Sequence, residues 1–307
     1  MQEERFVKGT FTSVTGQKLD WRLWRPEGRP RAIVQLVHGM AEHIDRYDTP
    51  ARALTAAGFQ VVGHTHLGHG PQAAVKGHIP EGGWQSLIDD VHALRLRTQQ
   101  NSPEGLPYIL LGHSMGSFVV RCYLQQYAEG LAGAILSGTG AFAVPTVAAG
   151  LAMANLVCLF GGAEKPSRLI DRMAFSGNNK AFAPARTAFD WLSRDEAQVD
   201  LYIADPYCGF PFTGSGYREL FRGLRRLTRL EGLTRMPREL PVMFFSGDKD
   251  PVGANGAGVK QVAESFRGAG MAHVTVKLYP EGRHEMFNEL NRDEVCQDVI
   301  GWINQLL

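Results

Sequence analysis

Residues 108–117 read Tyr-Ile-Leu-Leu-Gly-His-Ser-Met-Gly-Ser. The first half of this stretch is an apolar, β-type run, and the residues that follow, to about 128, place apolar side chains at helical spacing. A serine between two glycines can occupy a sharp turn from strand to helix, because a side chain at either glycine position would clash there. Such a turn lifts the Ser114 hydroxyl above the sheet, at a helix N-terminus that favours negative charge. Ser114 is therefore the candidate nucleophile.

The overall composition is that of a globular protein. The chain has 307 residues, 44% of them hydrophobic and 21% charged, enough for one large α/β domain or a core with an insertion. A net charge of +1 gives no general reason to expect nucleic-acid binding. The four cysteines form no C-x-x-C pair, which favours reduced thiols over disulfides or a zinc site. Residues 1–5 lack the apolar core of a signal peptide, so we expect a cytoplasmic protein.

Strand-like runs alternate with helical patterns along most of the chain. Strands are predicted at residues 5–14, 19–25, 31–37, 59–63, 108–112, 131–137, 241–246 and 273–279. The alternation predicts an α/β fold, a mostly parallel eight-stranded sheet with helices on both faces. It stops between about residues 141 and 238, which predicts a helical cap inserted into a core formed by residues 1–140 and 239–307.

A nucleophilic serine needs a base that is itself oriented by an acid. After this type of turn, the partners follow in the order acid, then histidine. Two histidines follow Ser114. His273 begins an alternating strand and is interpreted as a sheet residue, whereas His284 lies beyond the carboxyl end of that strand, where catalytic groups gather in α/β sheets. For the acid, Asp248 and Asp250 both follow a predicted strand, and their spacing does not separate them.

Three segments resemble motifs of a known group of enzymes. Residues 38–47 (H-G-M-A-E-H-I-D-R-Y) are similar to H-G-x-x-E-H-x-x-R-Y, residues 112–116 match G-H-S-M-G, and residues 247–250 match G-x-x-D. The chain thus resembles the α/β-hydrolase superfamily, and within it the monoacylglycerol lipase and lysophospholipase branch of the serine aminopeptidase S33-type hydrolases. The similarity extends over nearly the whole chain outside the cap.

The resemblance implies hydrolysis of carboxylic esters, namely monoacylglycerols or lysophospholipid-like mono-acyl esters, through an acyl-enzyme on Ser114 and without metal or cofactor. It selects Asp250 as the acid of the catalytic triad. It also implies an oxyanion hole formed by the backbone N–H groups of Met40 and Met115, with Glu42 and Arg46 near the polar, substrate-binding end. One departure is that Thr65 and Gln72 replace the usual Asp and Ser of D-x-x-G-H-G-x-S, which affects the geometry of a supporting loop more than the reaction.

Other interpretations of the sequence remain open. The triple His64, His66 and His69 invites a zinc interpretation, but Gly68 stands where a ligand aspartate is needed. The apolar stretch 141–163 is either a cap helix buried against the body or one that admits an acyl chain and contacts a membrane surface. The spacing of Arg218, Arg222, Arg225 and Arg229 places them on one helix face, and they are interpreted as solvated side chains that cover apolar surface.

Two other functions use the same residues. A proline iminopeptidase-like aminopeptidase would need acidic cap residues to hold the substrate amino group, and the arginine-rich cap argues against them. A non-enzymatic ligand-binding homologue of the α/β-hydrolases is the second.

Overall fold

The strand Tyr108–His113 runs through the middle of the sheet, and all six of its residues are buried. The structure is a computed structural model and describes residues 5–307. An apolar run with no polar face is what a strand needs when helices cover the sheet on both sides. The described residues form the strands β1 Phe6–Thr12, β2 Lys18–Trp24, β3 Ala32–Val37, β4 Phe59–His64, β5 Tyr108–His113, β6 Gly133–Ser137, β7 Val242–Gly247 and β8 Val274–Tyr279.

The strands form one sheet in the order β1-β2-β4-β3-β5-β6-β7-β8. The pairs β1/β2 and β2/β4 are antiparallel and the others are parallel. The predicted mostly parallel eight-stranded sheet is confirmed. His273 lies one residue before β8, with an exposed side chain, instead of beginning the strand as predicted.

Helices cover both faces. The described residues form the helices α1 Asp48–Ala56, α2 Gly83–Gln100, α3 Met115–Tyr127, α4 Val144–Val157, α5 Arg168–Phe175, α6 Glu196–Ala204, α7 Gly214–Leu227, α8 Ala257–Gly268 and α9 Arg292–Asn304. Alternate residues of β5 divide between the two cores: Leu110 packs in the cluster that includes α2, α3 and α8, and Ile109 and Leu111 in the cluster with α1 and α9. This period of two fixes the register of β5 and hence the position of the turn that follows it.

The chain between β6 and β7 contains α4 to α7 and adds no strand to the sheet. Helix α4 continues as a wider turn to Gly162, so that Val144–Gly162 has the length and apolar composition of a membrane span, with 17% of the segment buried. Val147, Leu151 and Ala154 are buried, while Leu159 and Phe160 at its end are 76% and 84% exposed. One face of this helix therefore packs inward, and its C-terminal end meets solvent.

Candidate active site

Ser114 lies in a strained turn between β5 and α3. Its φ of 51° and ψ of −120° fall outside the regions that most side chains adopt, and its N–H donates to the Ser137 carbonyl at 2.9 Å. The flanking glycines are required by close packing: a Cβ at Gly116 would lie 2.0 Å from the Val37 carbonyl oxygen, and one at Gly112 would lie 2.6 Å from that of Gly116. The turn thus has the geometry that the G-x-S-x-G spacing predicts.

Asp250 and His284 form a buried pair at the carboxyl ends of β7 and β8. Nδ1 of His284 lies 3.0 Å from Oδ1 of Asp250, and the side chains are 3% and 0% exposed. The carboxylate also accepts hydrogen bonds from Ser246 Oγ at 3.0 Å and from the Val252 N–H at 2.9 Å. Since a carboxylate only accepts, Nδ1 carries a proton, and Nε2 faces away from the pair and can accept one.

The charges of this pair stabilise one another. Burial alone would lower the pKa of His284, but the charge of Asp250 and its hydrogen bond outweigh burial and raise that pKa above its usual 6.5. Burial would likewise raise the pKa of Asp250, and His284 with the other donors lowers it instead. Asp248, the competing aspartate, accepts from the Glu281 N–H at 2.8 Å and lies in a local turn.

Two glycines allow Ser114 and His284 to share the same small space. A Cβ at Gly39 would lie 3.2 Å from the Ser114 Cβ, and one at Gly138 would lie 3.0 Å from Cε1 of His284. His113 adjoins both positions, and its ring centre is 4.8 Å from that of His284. Within residues 5–307, the Ser114 hydroxyl and His284 Nε2 have no hydrogen-bond partner. Such contacts often tighten only when substrate binds.

The backbone N–H groups of Met40 and Met115 also lack hydrogen-bond partners in the described chain. On either side of Met40, the Gly39 N–H donates to Glu42 Oε1 at 2.5 Å and the Ala41 N–H donates to His69 Nε2 at 3.2 Å. Met115 is the first residue of α3, where an N–H has no acceptor within the helix. Two free donors beside the serine are what an oxyanion hole needs.

Glu42 and Arg46 belong to a buried charge network and line a small cavity with His113 and Glu285. Glu42 Oε1 accepts from the Tyr47 hydroxyl at 2.8 Å, and Glu42 Oε2 accepts from Arg46 at 2.6 Å. Arg46 also donates twice to Glu285, both bonds at 2.7 Å. Burial opposes the charge on Glu285, yet Arg46 lowers its pKa to about 2. The network ties the Met40 loop to the His284 loop.

Four buried histidines lie behind the Met40 loop. His38 Nε2 accepts the His66 N–H at 2.9 Å, and His69 bridges the Ala41 N–H and the Leu67 carbonyl. Neither nitrogen of His64 has a partner in the described chain. In the described chain, a different group brings its metal-ligating atoms within 4.8 Å of one another: His43, Asp205 and Cys208. Of these, His43 and Asp205 are already hydrogen-bonded to each other at 2.8 Å.

Sequence reasoning missed two residues beside His284. The acidic neighbour Glu285 was visible in the sequence, but its partner Arg46 lies 239 residues away. Trp191 lies in the segment between β6 and β7, and its ring centre is 4.9 Å from that of His284. No motif surrounds Trp191 in the sequence, so only the folded chain reveals its position.

The parallel sheet, the serine turn and the buried Asp–His pair define an α/β-hydrolase. Residues 28–291 match the model of a family described as serine aminopeptidase, S33, and the chain belongs to that family. It is 30% identical to the monoacylglycerol lipase of Mycolicibacterium smegmatis, over 96% of this chain and 95% of the lipase. It is 28% identical to the monoglyceride lipase of Mus musculus, over 96% and 89% of the two chains.

Among solved structures, the chain is similar to a thermostable carboxyl esterase from Bacillus coagulans, crystallised with glycerol. The TM-score is 0.89 and the sequences are 29% identical, with 99% of each chain covered. The similarity spans both the sheet and the segment between β6 and β7.

Proposed function

We propose that this protein is a serine hydrolase of carboxylic esters in which Ser114, His284 and Asp250 form the catalytic triad. The observation that carries the proposal is the buried Asp250–His284 pair beside a serine held at a φ of 51°. Strain of this kind persists where the surrounding structure enforces it, and it is concentrated at functional sites. The similar lipases and esterase support the same class of reaction.

The proposed reaction uses these groups in two successive acyl transfers. His284 Nε2 takes the proton of the Ser114 hydroxyl as the oxygen attacks the ester carbonyl. Asp250 holds the tautomer of His284 and stabilises the imidazolium. The N–H groups of Met40 and Met115 bind the oxyanion of the tetrahedral intermediate. His284 then gives its proton to the leaving alcohol, and water repeats these steps on the acyl-enzyme.

The proposed substrates are mono-acyl esters, monoacylglycerols first and lysophospholipid-like esters second. The names of the two similar lipases support glycerol esters, and the apolar residues beyond β6 provide surface for an acyl chain. Direct contact of Glu42 and Arg46 with substrate remains a prediction. Their internal hydrogen bonds support a role in holding the polar end of the site in place.

We further propose that residues 1–140 and 239–307 form the hydrolase core and 141–238 the cap. The exposed apolar side chains of the cap support a peripheral contact with lipid: they are Val144, Leu156, Leu159, Phe160, Leu169, Met173, Leu201 and Ile203. The cytoplasm is the proposed location, which agrees with four cysteines that form no disulfide.

Parallel assays test the reaction class. The wild-type protein should hydrolyse p-nitrophenyl esters and monoacylglycerols, and Ser114→Ala should lose that activity while keeping its circular dichroism spectrum. Turnover of a prolyl-anilide without ester turnover would assign the aminopeptidase alternative instead. Full ester turnover by Ser114→Ala would refute the nucleophile, and no turnover of either substrate by the wild type would favour the ligand-binding homologue.

A series of substrates measures which length of acyl chain the protein prefers. A series of p-nitrophenyl esters from C2 to C16, run beside monoacylglycerols, should peak at medium or long chains for a lipase. A peak at C2 would assign a general carboxylesterase.

A further inference from the structure

The indole of Trp191 packs on the imidazole of His284. The ring centres are 4.9 Å apart and the planes are inclined by 37°. This distance lies within the ~6 Å over which the face of a tryptophan ring attracts a cation. Trp191 is partly buried and belongs to a short helical turn, Asp190–Leu192, in the segment between β6 and β7.

Backbone hydrogen bonds hold the tryptophan in this position. The His284 N–H donates to the Trp191 carbonyl at 3.4 Å, and the Glu285 N–H donates to the Leu192 carbonyl at 2.7 Å. The Arg283 guanidinium donates to the carbonyls of Asp190 and Ser193. The turn that carries Trp191 is therefore attached to the histidine loop itself, and the two rings keep their relative position.

The groups around His284 favour its protonated form. Asp250 lies at Nδ1, and Glu285 and Glu42 add negative charge from the same loop and from the Met40 loop. Their effect outweighs burial, and the pKa of His284 is raised. His113 faces the ring from the end of β5, and burial lowers its own pKa to about 4, so that it is neutral at pH 7. The tryptophan ring meets His284 from the cap side.

We propose that Trp191 is a positioning residue that holds the His284 ring and stabilises its imidazolium through the negative face of the indole. The inference rests on the function proposed above. When the O–H bond of Ser114 breaks and an N–H bond forms at His284 Nε2, the positive charge appears on a ring already in contact with Trp191. The segment between β6 and β7 then contributes to the chemical step.

Two substitutions at Trp191 distinguish stabilisation of the imidazolium by an aromatic face from packing of an apolar side chain. Trp191→Leu keeps an apolar side chain without a π face, and Trp191→Phe keeps a smaller aromatic face. We expect Trp191→Leu to reduce kcat/KM for a p-nitrophenyl ester about fivefold and to move the acidic limb of its pH profile down by about half a unit. The limb moves down because loss of the indole favours neutral His284. Trp191→Phe should retain most of both properties.

A purely structural role for Trp191 would give a different profile. In that case kcat/KM would fall by the same factor at every pH, and the acidic limb of Trp191→Leu would coincide with that of the wild type. That result would overturn the proposal.

A fluorescence titration tests the contact without relying on turnover. In the Ser114→Ala background, the fluorescence of Trp191 is obtained as the difference in emission with and without Trp191→Phe. This difference should change with pH, because a protonated imidazole quenches the fluorescence of an indole in contact with it. His284→Gln should abolish the change. An emission difference that titrates identically with and without His284 would overturn the contact. If Ser114→Ala retained ester turnover, the proposed function would fail while this titration still reported on the two rings.

Discussion

Replacement of His64 by leucine tests how buried histidines limit the stability of this protein in acid. His64 is fully buried at the end of β4, with its ring edge-on to Phe11 at 5.3 Å and to His66 at 5.0 Å. Neither of its nitrogens has a hydrogen-bond partner among residues 5–307. Burial lowers its pKa from 6.5 to about 3, so the folded protein keeps this ring neutral.

The magnitude follows from the difference between the folded and unfolded chains. Between pH 6.5 and pH 3 only the unfolded chain takes up this proton, so the stability present above pH 6.5 is lost as the pH falls. At pH 5 the loss is 1.5 pH units at 1.36 kcal/mol each, or about 2 kcal/mol from this one side chain. His64→Leu removes that loss. At pH 7 it should also raise the free energy of unfolding by about 1 kcal/mol, because two buried polar atoms without partners disappear.

Urea denaturation followed by circular dichroism at pH 7 and pH 5 measures both effects. The wild type should lose about 2 kcal/mol more than His64→Leu between the two pH values. His273→Leu is the matched control, because it makes the same replacement at a side chain that is 58% exposed. An equal loss in the wild type and His64→Leu would refute the reasoning.

Three further predictions concern the site and the cap. Asp250→Asn should lower kcat/KM about 10³-fold or more and move its acidic limb from above pH 6.5 to a lower pH, because the carboxylate raises the pKa of His284; an unshifted limb would contradict this. Gly138→Ala places a Cβ 3.0 Å from His284 and should cost at least tenfold in kcat/KM, whereas Gly28→Ala, at a similar positive φ in open space, should not. Leu159→Glu should weaken co-sedimentation of the protein with lipid vesicles while turnover of p-nitrophenyl acetate stays constant, and the control Leu96→Glu on α2 should change neither property. Equal vesicle binding by the wild type and both variants would exclude a lipid contact at this end of α4.

Local sequence predicted the sheet and the serine turn because short-range rules govern both. An apolar run followed by G-x-S-x-G must end in a tight turn, since a Cβ at Gly116 would meet the Val37 carbonyl at 2.0 Å. His284 and the pair Asp248 and Asp250 could be predicted for a related reason, and the family resemblance then selected Asp250. The carboxyl ends of parallel strands meet at one edge, so residues just after β7 and β8 come close to a residue just after β5.

The contacts that complete the site depend on long-range packing, which no local pattern encodes. Arg46 reaches Glu285 across 239 positions, and Trp191 reaches His284 only because the segment between β6 and β7 folds back over the sheet. Helix α4 shows the same limit: its composition allowed either a buried or an exposed helix, and the structure combines a buried face with an exposed end.

Labelling by a fluorophosphonate tests the central proposal most directly. We predict a single adduct per chain, mapped by mass spectrometry to the Ser114 hydroxyl, absent from Ser114→Ala and formed far more slowly by Asp250→Asn and His284→Gln. An adduct on another residue, or undiminished labelling of Ser114→Ala, would contradict the assignment of Ser114, His284 and Asp250 as one catalytic unit.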